Sequence, residues 1–219
     1  MDVRWGRERV DRCVAFVDLA GFTALTEAHG DDYAADVHDA FVGALARACE
    51  EFADVVCVKH LGDGALLVAR SAAHMLEALR AGVSEQGAAD LCLRVRAGVH
   101  TGPALRVDGV HGEDFLGHTV NVAARLCGLA APGELLLSGA VRSAAAPAST
   151  DARPLGPRTL RHLSEPIAVW SLPLGTPDGL IDPVCHMSVR PGALSTLVGG
   201  REWLFCSSAC QERFVSEHG

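Results

Sequence analysis

Two apolar runs, Val55-Val56-Cys57-Val58 and Ala65-Leu66-Leu67-Val68, flank Gly62-Asp63-Gly64. Each run is too short for a helix, and the glycine-rich break between them reads as a tight turn joining two strands. Upstream, Cys13-Val14-Ala15-Phe16-Val17 is an unbroken apolar stretch, the pattern of a strand buried on both faces. It stops at Asp18, and Gly21 follows shortly after. Two acids therefore stand at strand ends beside glycine turns. There, carboxylates and backbone carbonyls can face a hard cation, and a pair of such acids suits paired Mg2+ ions bridging a triphosphate.

Between these acids, Tyr33, Val37, Phe41, Leu45, Ala48 and Phe52 recur every three or four residues. This predicts a long amphipathic helix with Asp31 or Asp32 as its N-cap. A second helix is expected over Ala72 to Ser84, and a strand over Leu91 to His100 that Gly102-Pro103 should break. Val120, Ala123, Ala124 and Cys127 mark the apolar face of a helix beginning near Gly117. Glu134 to Leu137 and Ile167 to Leu172 read as closing strands. Strands and helices mixed in this order predict an α+β sheet covered by helices.

Half of the 219 residues are hydrophobic and a fifth are charged, so a real core is expected. A net charge of -8 argues against a nucleic-acid partner, since a phosphate backbone needs a basic face. No apolar run is long enough to span a membrane, and the charged N-terminus lacks the core of a signal peptide. A cytoplasmic location is the expectation. Cys13, Cys49, Cys57, Cys92 and Cys127 are scattered through apolar segments and read as small buried hydrophobes. Cys185, Cys206 and Cys210 crowd the C-terminus, where metal binding is favoured over disulfides.

Two further segments carry polar chemistry. Asn121 and Arg125 are four apart and share one helical face, where an amide and a guanidinium can hold a ribose and a phosphate. Thr159-Leu160-Arg161-His162-Leu163 offers another cation.

The stretches FVDLAGFT, KHLGDGALL, RAGVHTGP and EDFLGHTVNVAARL resemble, in order and spacing, the class III adenylate and guanylate cyclase catalytic domain over roughly residues 10–172. The resemblance implies a ferredoxin-like α+β nucleotide cyclase fold and conversion of ATP to cyclic AMP and pyrophosphate with two Mg2+ or Mn2+ per site. It makes Asp18 and Asp63 the metal carboxylates, Lys59 the purine reader and Asp114 its acidic partner. Asn121 would orient the ribose, Arg125 would stabilise the transition state, and Arg161 would contact the triphosphate, although the usual glycine after that basic residue is missing. Lysine donates and aspartate accepts, which complements adenine rather than guanine. Since this chain carries both halves of the family's composite site, the resemblance implies a homodimer.

Residues 173–180 carry Pro173, Gly175, Pro177 and Gly179 and read as a linker. The remaining 181–219 are too few for a core without a staple. Cys185, Cys206 and Cys210, with Phe214 after them, are similar to the YHS (TRASH-like) metal-binding domain, which implies Zn2+ or Cu+ and leaves the fourth ligand open. His186, where glycine is common, reads as an exposed imidazole or else an extra ligand, and His29, with the other scattered histidines, as a surface or core residue. Competing readings are a catalytically silent nucleotide-binding regulatory dimer and a protein that chiefly binds or senses metal.

Overall fold

The computed structural model describes residues 6–84, 94–109, 112–161, 163, 165–174, 180–189 and 192–218. One eight-stranded sheet organises the larger part of the chain. Its strands are β1 (Arg7–Leu19), β2 (Val55–Leu61), β3 (Gly64–Ala69), β4 (Val95–Gly109), β5 (Gly112–Leu116), β6 (Glu134–Ser138), β7 (Arg153–Arg158) and β8 (Ile167–Pro173). The order across the sheet is β2-β3-β1-β4-β6-β8-β7, with β5 added along the far part of β4. The β4–β6 pair is parallel and the other pairs are antiparallel.

Alternation along β1 separates two cores. Cys13, Ala15, Val17 and Leu19 face a layer built from α1 (Phe22–His29), α2 (Asp31–Glu51), α3 (Ala72–Ser84) and, from later in the chain, α5 (Gly139–Ala144). Val14 faces the other way with Leu66, Val68, Ala104, Phe115 and Ala123, the last of these on α4 (His118–Leu129). Asp18 shares the parity of Val14 and so stands on the α4 side of the sheet.

Sequence expectations and structure differ at three places. The N-cap of α2 is Gly30, not Asp31 or Asp32. Gly30 also closes α1 by donating its N–H to Thr26, so one glycine serves both helices and the two aspartates fall in the first turn of α2, where they favour the helix dipole. Second, Gly102-Pro103 does not break β4. From His100 to Ala104 the strand is paired only with β1, because pairing with β6 ends at Val99 and pairing with β5 begins at Leu105; a proline lacking its N–H is tolerated where one edge is free. The expected start of that strand, residues 91–93, and Cys92 with it, lies outside the described residues, as do 175–179 of the linker. Third, α1, β5, α5 and β7 of the sheet domain have no counterpart in the expected element list.

The C-terminal part forms two small ribbons and a helix. β9 (Leu180–Ile181) pairs with β10 (Ser188–Val189), β11 (Leu194–Val198) pairs with β12 (Arg201–Phe205), and α6 (Ser208–His218) closes the unit. Its buried Cys185, Met187, Phe205, Cys210 and Phe214 run continuously into the larger core that contains α1. The small unit is therefore packed against the sheet domain rather than folded around a core of its own.

Candidate active site

Asp18 ends the β1–β3 pairing opposite Gly64, and Asp63 sits in the β2–β3 turn, its carbonyl accepting the Leu19 N–H at 3.1 Å. Backbone pairing thus draws the two acids together. A Cβ at position 64 would lie 2.8 Å from the Val17 carbonyl and 3.2 Å from Asp18 Oδ1. Glycine there keeps open the space beside that oxygen. Burial raises the Asp18 carboxyl above its usual range; the Asp63 charge adds to this, and Arg96 opposes it.

Arg96, on β4 directly across from Asp18 in register, donates to Asp18 Oδ2 through Nε at 2.7 Å and sits at 2.5 Å through a terminal nitrogen. Oδ1 keeps no protein donor among the described residues. A half-buried carboxylate with one free oxygen, a second acid beside it and a gap enforced by glycine fits a divalent cation. Sequence reasoning passed over Arg96. Its position opposite Asp18 emerges only once the β1–β4 register is known.

Lys59 and Asp114 meet across the sheet. Lys59 Nζ donates to Asp114 Oδ2 at 2.6 Å, and Asp114 Oδ1 accepts the Phe115 N–H at 2.8 Å. Both side chains are about a third exposed (39% and 30%), so the pair is preformed yet reachable. A register shift between Cys57 and Lys59 re-aims the lysine.

Asn121 and Arg125 project from α4 into solvent, while Val122, Ala123 and Leu126 of the same helix are fully buried. Neither polar side chain bonds a described residue. The helix lies hard on β4: a Cβ on Gly98 would come within 2.0 Å of the Cys127 nitrogen and 2.4 Å of the Ala123 carbonyl. Arg161 is exposed in the turn between β7 and β8, just after the buried Leu160; His162 lies outside the described residues. Two clusters result, Asp18–Asp63–Arg96 and Lys59–Asp114, with Asn121 and Arg125 outward on α4.

In the C-terminal unit, Cys206 Sγ lies 3.4 Å from Cys185 Sγ and 3.8 Å from Cys210 Sγ. Asp182, fully buried, arranges them: Oδ1 accepts the Val184 and Cys185 N–H groups and Oδ2 the Cys206 N–H at 2.8 Å. Burial raises its carboxyl, but these backbone bonds outweigh that and hold it below its usual range. His186 is not part of this cluster; its φ is +61, and its Cβ would meet a side chain at Gly21 at 2.8 Å.

A family model described as the adenylate and guanylate cyclase catalytic domain matches residues 7–166. An uncharacterized protein of Mycobacterium tuberculosis is 33% identical over 165 residues, 73% of this chain and 40% of its own length. A pH-sensitive adenylate cyclase of the same species is 35% identical over 133 residues, 60% of this chain and 32% of that protein. The chain thus spans two fifths or less of these curated relatives. Among solved structures, the adenylyl cyclase CyaB of P. aeruginosa superposes with a TM-score of 0.64 at 20% identity, covering 79% of this chain and 98% of that one. The guanylyl cyclase Cya2 gives 0.62 at 20% identity, covering 84% and 100%. The fold is shared by enzymes for either purine.

Proposed function

This chain belongs to the family of adenylate and guanylate cyclase catalytic domains, and from that premise we propose that it converts ATP to 3′,5′-cyclic AMP and pyrophosphate as a homodimer. The observation that carries the choice of ATP is the 2.6 Å Lys59–Asp114 bond. Adenine presents an acceptor at N1 and a donor amine at N6, so the ammonium and the carboxylate each find a partner. Guanine presents the reverse and leaves both unpaired, which a site of this kind rejects strongly. The pH-sensitive relative is an adenylate cyclase by name, in keeping with this choice.

Asp18 and Asp63 would hold the divalent cations, Mg2+ or Mn2+, which when bound neutralise triphosphate charge and lower the proton affinity of the ribose 3′-hydroxyl. The reaction joins O3′ to the α-phosphorus and breaks the bond to pyrophosphate. Asn121 orients the ribose so that O3′ faces phosphorus. Arg125, planar and permanently charged, meets the charge that builds on the α-phosphate. Arg161 adds a cation for the leaving group. No protein side chain is assigned as general base; water or a phosphate oxygen takes the proton.

Support for a dimer comes from the separation of the clusters. Asn121 and Arg125 reach outward, without partners among the described residues, while the acids pair with Arg96. Two copies facing each other bring the acids of one to the helix of its partner, twice by symmetry.

The test is cyclic nucleotide production by the purified protein with ATP or GTP and Mg2+ or Mn2+, against Asp63→Ala. Cyclic AMP that vanishes in the variant is expected, as is partial recovery when inactive Asp18→Ala and Asn121→Ala chains are mixed. Equal turnover of GTP refutes the base assignment. A folded dimer that binds ATP without product leaves the silent regulatory reading.

A further inference from the structure

The three cysteines of the C-terminal unit have a fourth neighbour from the other end of the chain. His29, the last residue of α1, places Nε2 at 3.5 Å from Cys206 Sγ and 3.6 Å from Cys210 Sγ. The ligand atoms of His29, Cys185, Cys206 and Cys210 all lie within 4.8 Å of one another. We propose that these four side chains bind one zinc ion, and that the ion clamps the C-terminal unit onto α1.

The spacing can be compared with what a metal requires. Zinc bonds of about 2.3 Å to sulfur and about 2.0 Å to nitrogen, in a tetrahedron, set S···S edges of about 3.8 Å and S···N edges of about 3.5 Å. Four of the six separations here are 3.4 and 3.8 Å between sulfurs and 3.5 and 3.6 Å from sulfur to nitrogen, and the other two lie within 4.8 Å. Three thiolates alone fit either of two soft ions, but an imidazole closing a tetrahedron favours Zn2+ in a structural, four-ligand site. Cys185 and Cys210 are buried and Cys206 is exposed, which gives a solvent-facing entry.

Outer contacts hold the ligands in place. Asp182 fixes the backbone at Cys185 and Cys206, and Ser207 Oγ accepts the Cys210 N–H at 3.3 Å. Two more contacts tie the unit to α1. Arg213 donates to the Glu27 carbonyl at 3.3 Å, and His186 packs over Gly21, the α1 N-cap, three residues after Asp18. The unit buries few large apolar side chains, so metal binding would supply much of its folding free energy. Because His29 lies on the sheet domain, that free energy also orders the docked arrangement. The inference stands on this geometry and does not rest on the cyclase reading; an inactive protein that binds zinc through His29 leaves it intact.

The full-length, reduced protein is titrated with Zn2+ in competition with a chromophoric chelator, and with Co2+ as a spectroscopic stand-in. One ion per chain is expected, with the visible bands of a tetrahedral sulfur-rich Co2+ site. His29→Ala should weaken Zn2+ binding at least ~10-fold and alter the Co2+ bands. His29→Cys, which keeps four ligands, should restore binding with stronger sulfur-to-cobalt charge transfer. Zinc should slow amide exchange in α1 of the wild-type chain and of His29→Cys, but not of His29→Ala. Wild-type protein that binds no zinc, or His29→Ala with unchanged zinc affinity and unchanged Co2+ bands, overturns the proposal.

Discussion

Gly98→Ala tests whether the seat of α4 on β4 sets the position of Asn121 and Arg125. A Cβ at 98 would stand 2.0 Å from the Cys127 nitrogen, 2.4 Å from the Ala123 carbonyl and 2.6 Å from the Leu126 carbonyl carbon. All three are backbone atoms, so no side-chain rotation relieves the clash. The helix must lift by about 1 Å to reach the 3.0 Å that real Cβ contacts respect. A gap of that size forfeits a quarter to a half of the dispersion energy where Val122, Ala123 and Leu126 pack. The expected cost is about 3 kcal/mol, or roughly 6–12 °C in melting temperature for a domain of this size. Activity should fall further than stability implies, because a 1 Å displacement of positioning groups costs on the order of 100-fold in rate. Gly128→Ala, on the same helix with nothing within 4 Å of the added carbon, is the control and should gain up to ~1 kcal/mol from helix propensity. Thermal denaturation and cyclic AMP kinetics on the two variants decide the matter. Gly98→Ala with wild-type melting and turnover would refute the reasoning.

Two further perturbations address charge. Arg96→Ala removes the guanidinium that pulls the Asp18 carboxyl down against burial and the Asp63 charge; the acid limb of the pH–activity profile should move to higher pH, and an unmoved limb would separate Arg96 from the site. His100, bonded to Ser138 Oγ at 2.7 Å, is held by burial and by His118 down to about 4 from 6.5. Its folded value is depressed, so the unfolded chain binds the proton more readily; the stabilisation is complete above pH 6.5 and is lost as pH falls towards 4. The full shift is worth about 3 kcal/mol, reduced by solvent screening to about 2 kcal/mol. Urea midpoints at pH 7, 5 and 4 should fall accordingly, and His100→Gln should flatten that part of the dependence.

Elements with a local signature were legible from sequence, and those fixed by contact were not. The glycine turn around Asp63, the 3.6-residue period of α2 and the span of α3 all follow from residues adjacent in the chain. Gly102-Pro103 misled because the rule it invokes assumes a strand paired on both sides, and β4 has one free edge there. The N-cap of α2 misled because a glycine shared with α1 outcompeted two aspartates that are good caps in isolation. Lys59 and Asp114 stand 55 positions apart, and their pairing was expected through family resemblance rather than through periodicity.

The residues that escaped notice share a physical cause. Arg96 faces Asp18 through strand register, which a one-residue slip would abolish. Asp182 carries no local signature of its role, which shows only where its oxygens meet the backbone of two cysteine segments. His29 is 177 positions from Cys206, on a helix of eight residues with no expected counterpart. The cysteines announce a metal by their crowding, because ligands close in sequence cost little chain entropy to gather. A ligand contributed from the far end of the chain costs more to recruit and leaves no spacing pattern. What it offers instead is coupling: an ion held only by its own small unit steadies that unit, whereas an ion that also holds α1 steadies the segment leading directly from Asp18. The position of His29, rather than the presence of three cysteines, is therefore what would let metal occupancy reach the carboxylate end of the sheet.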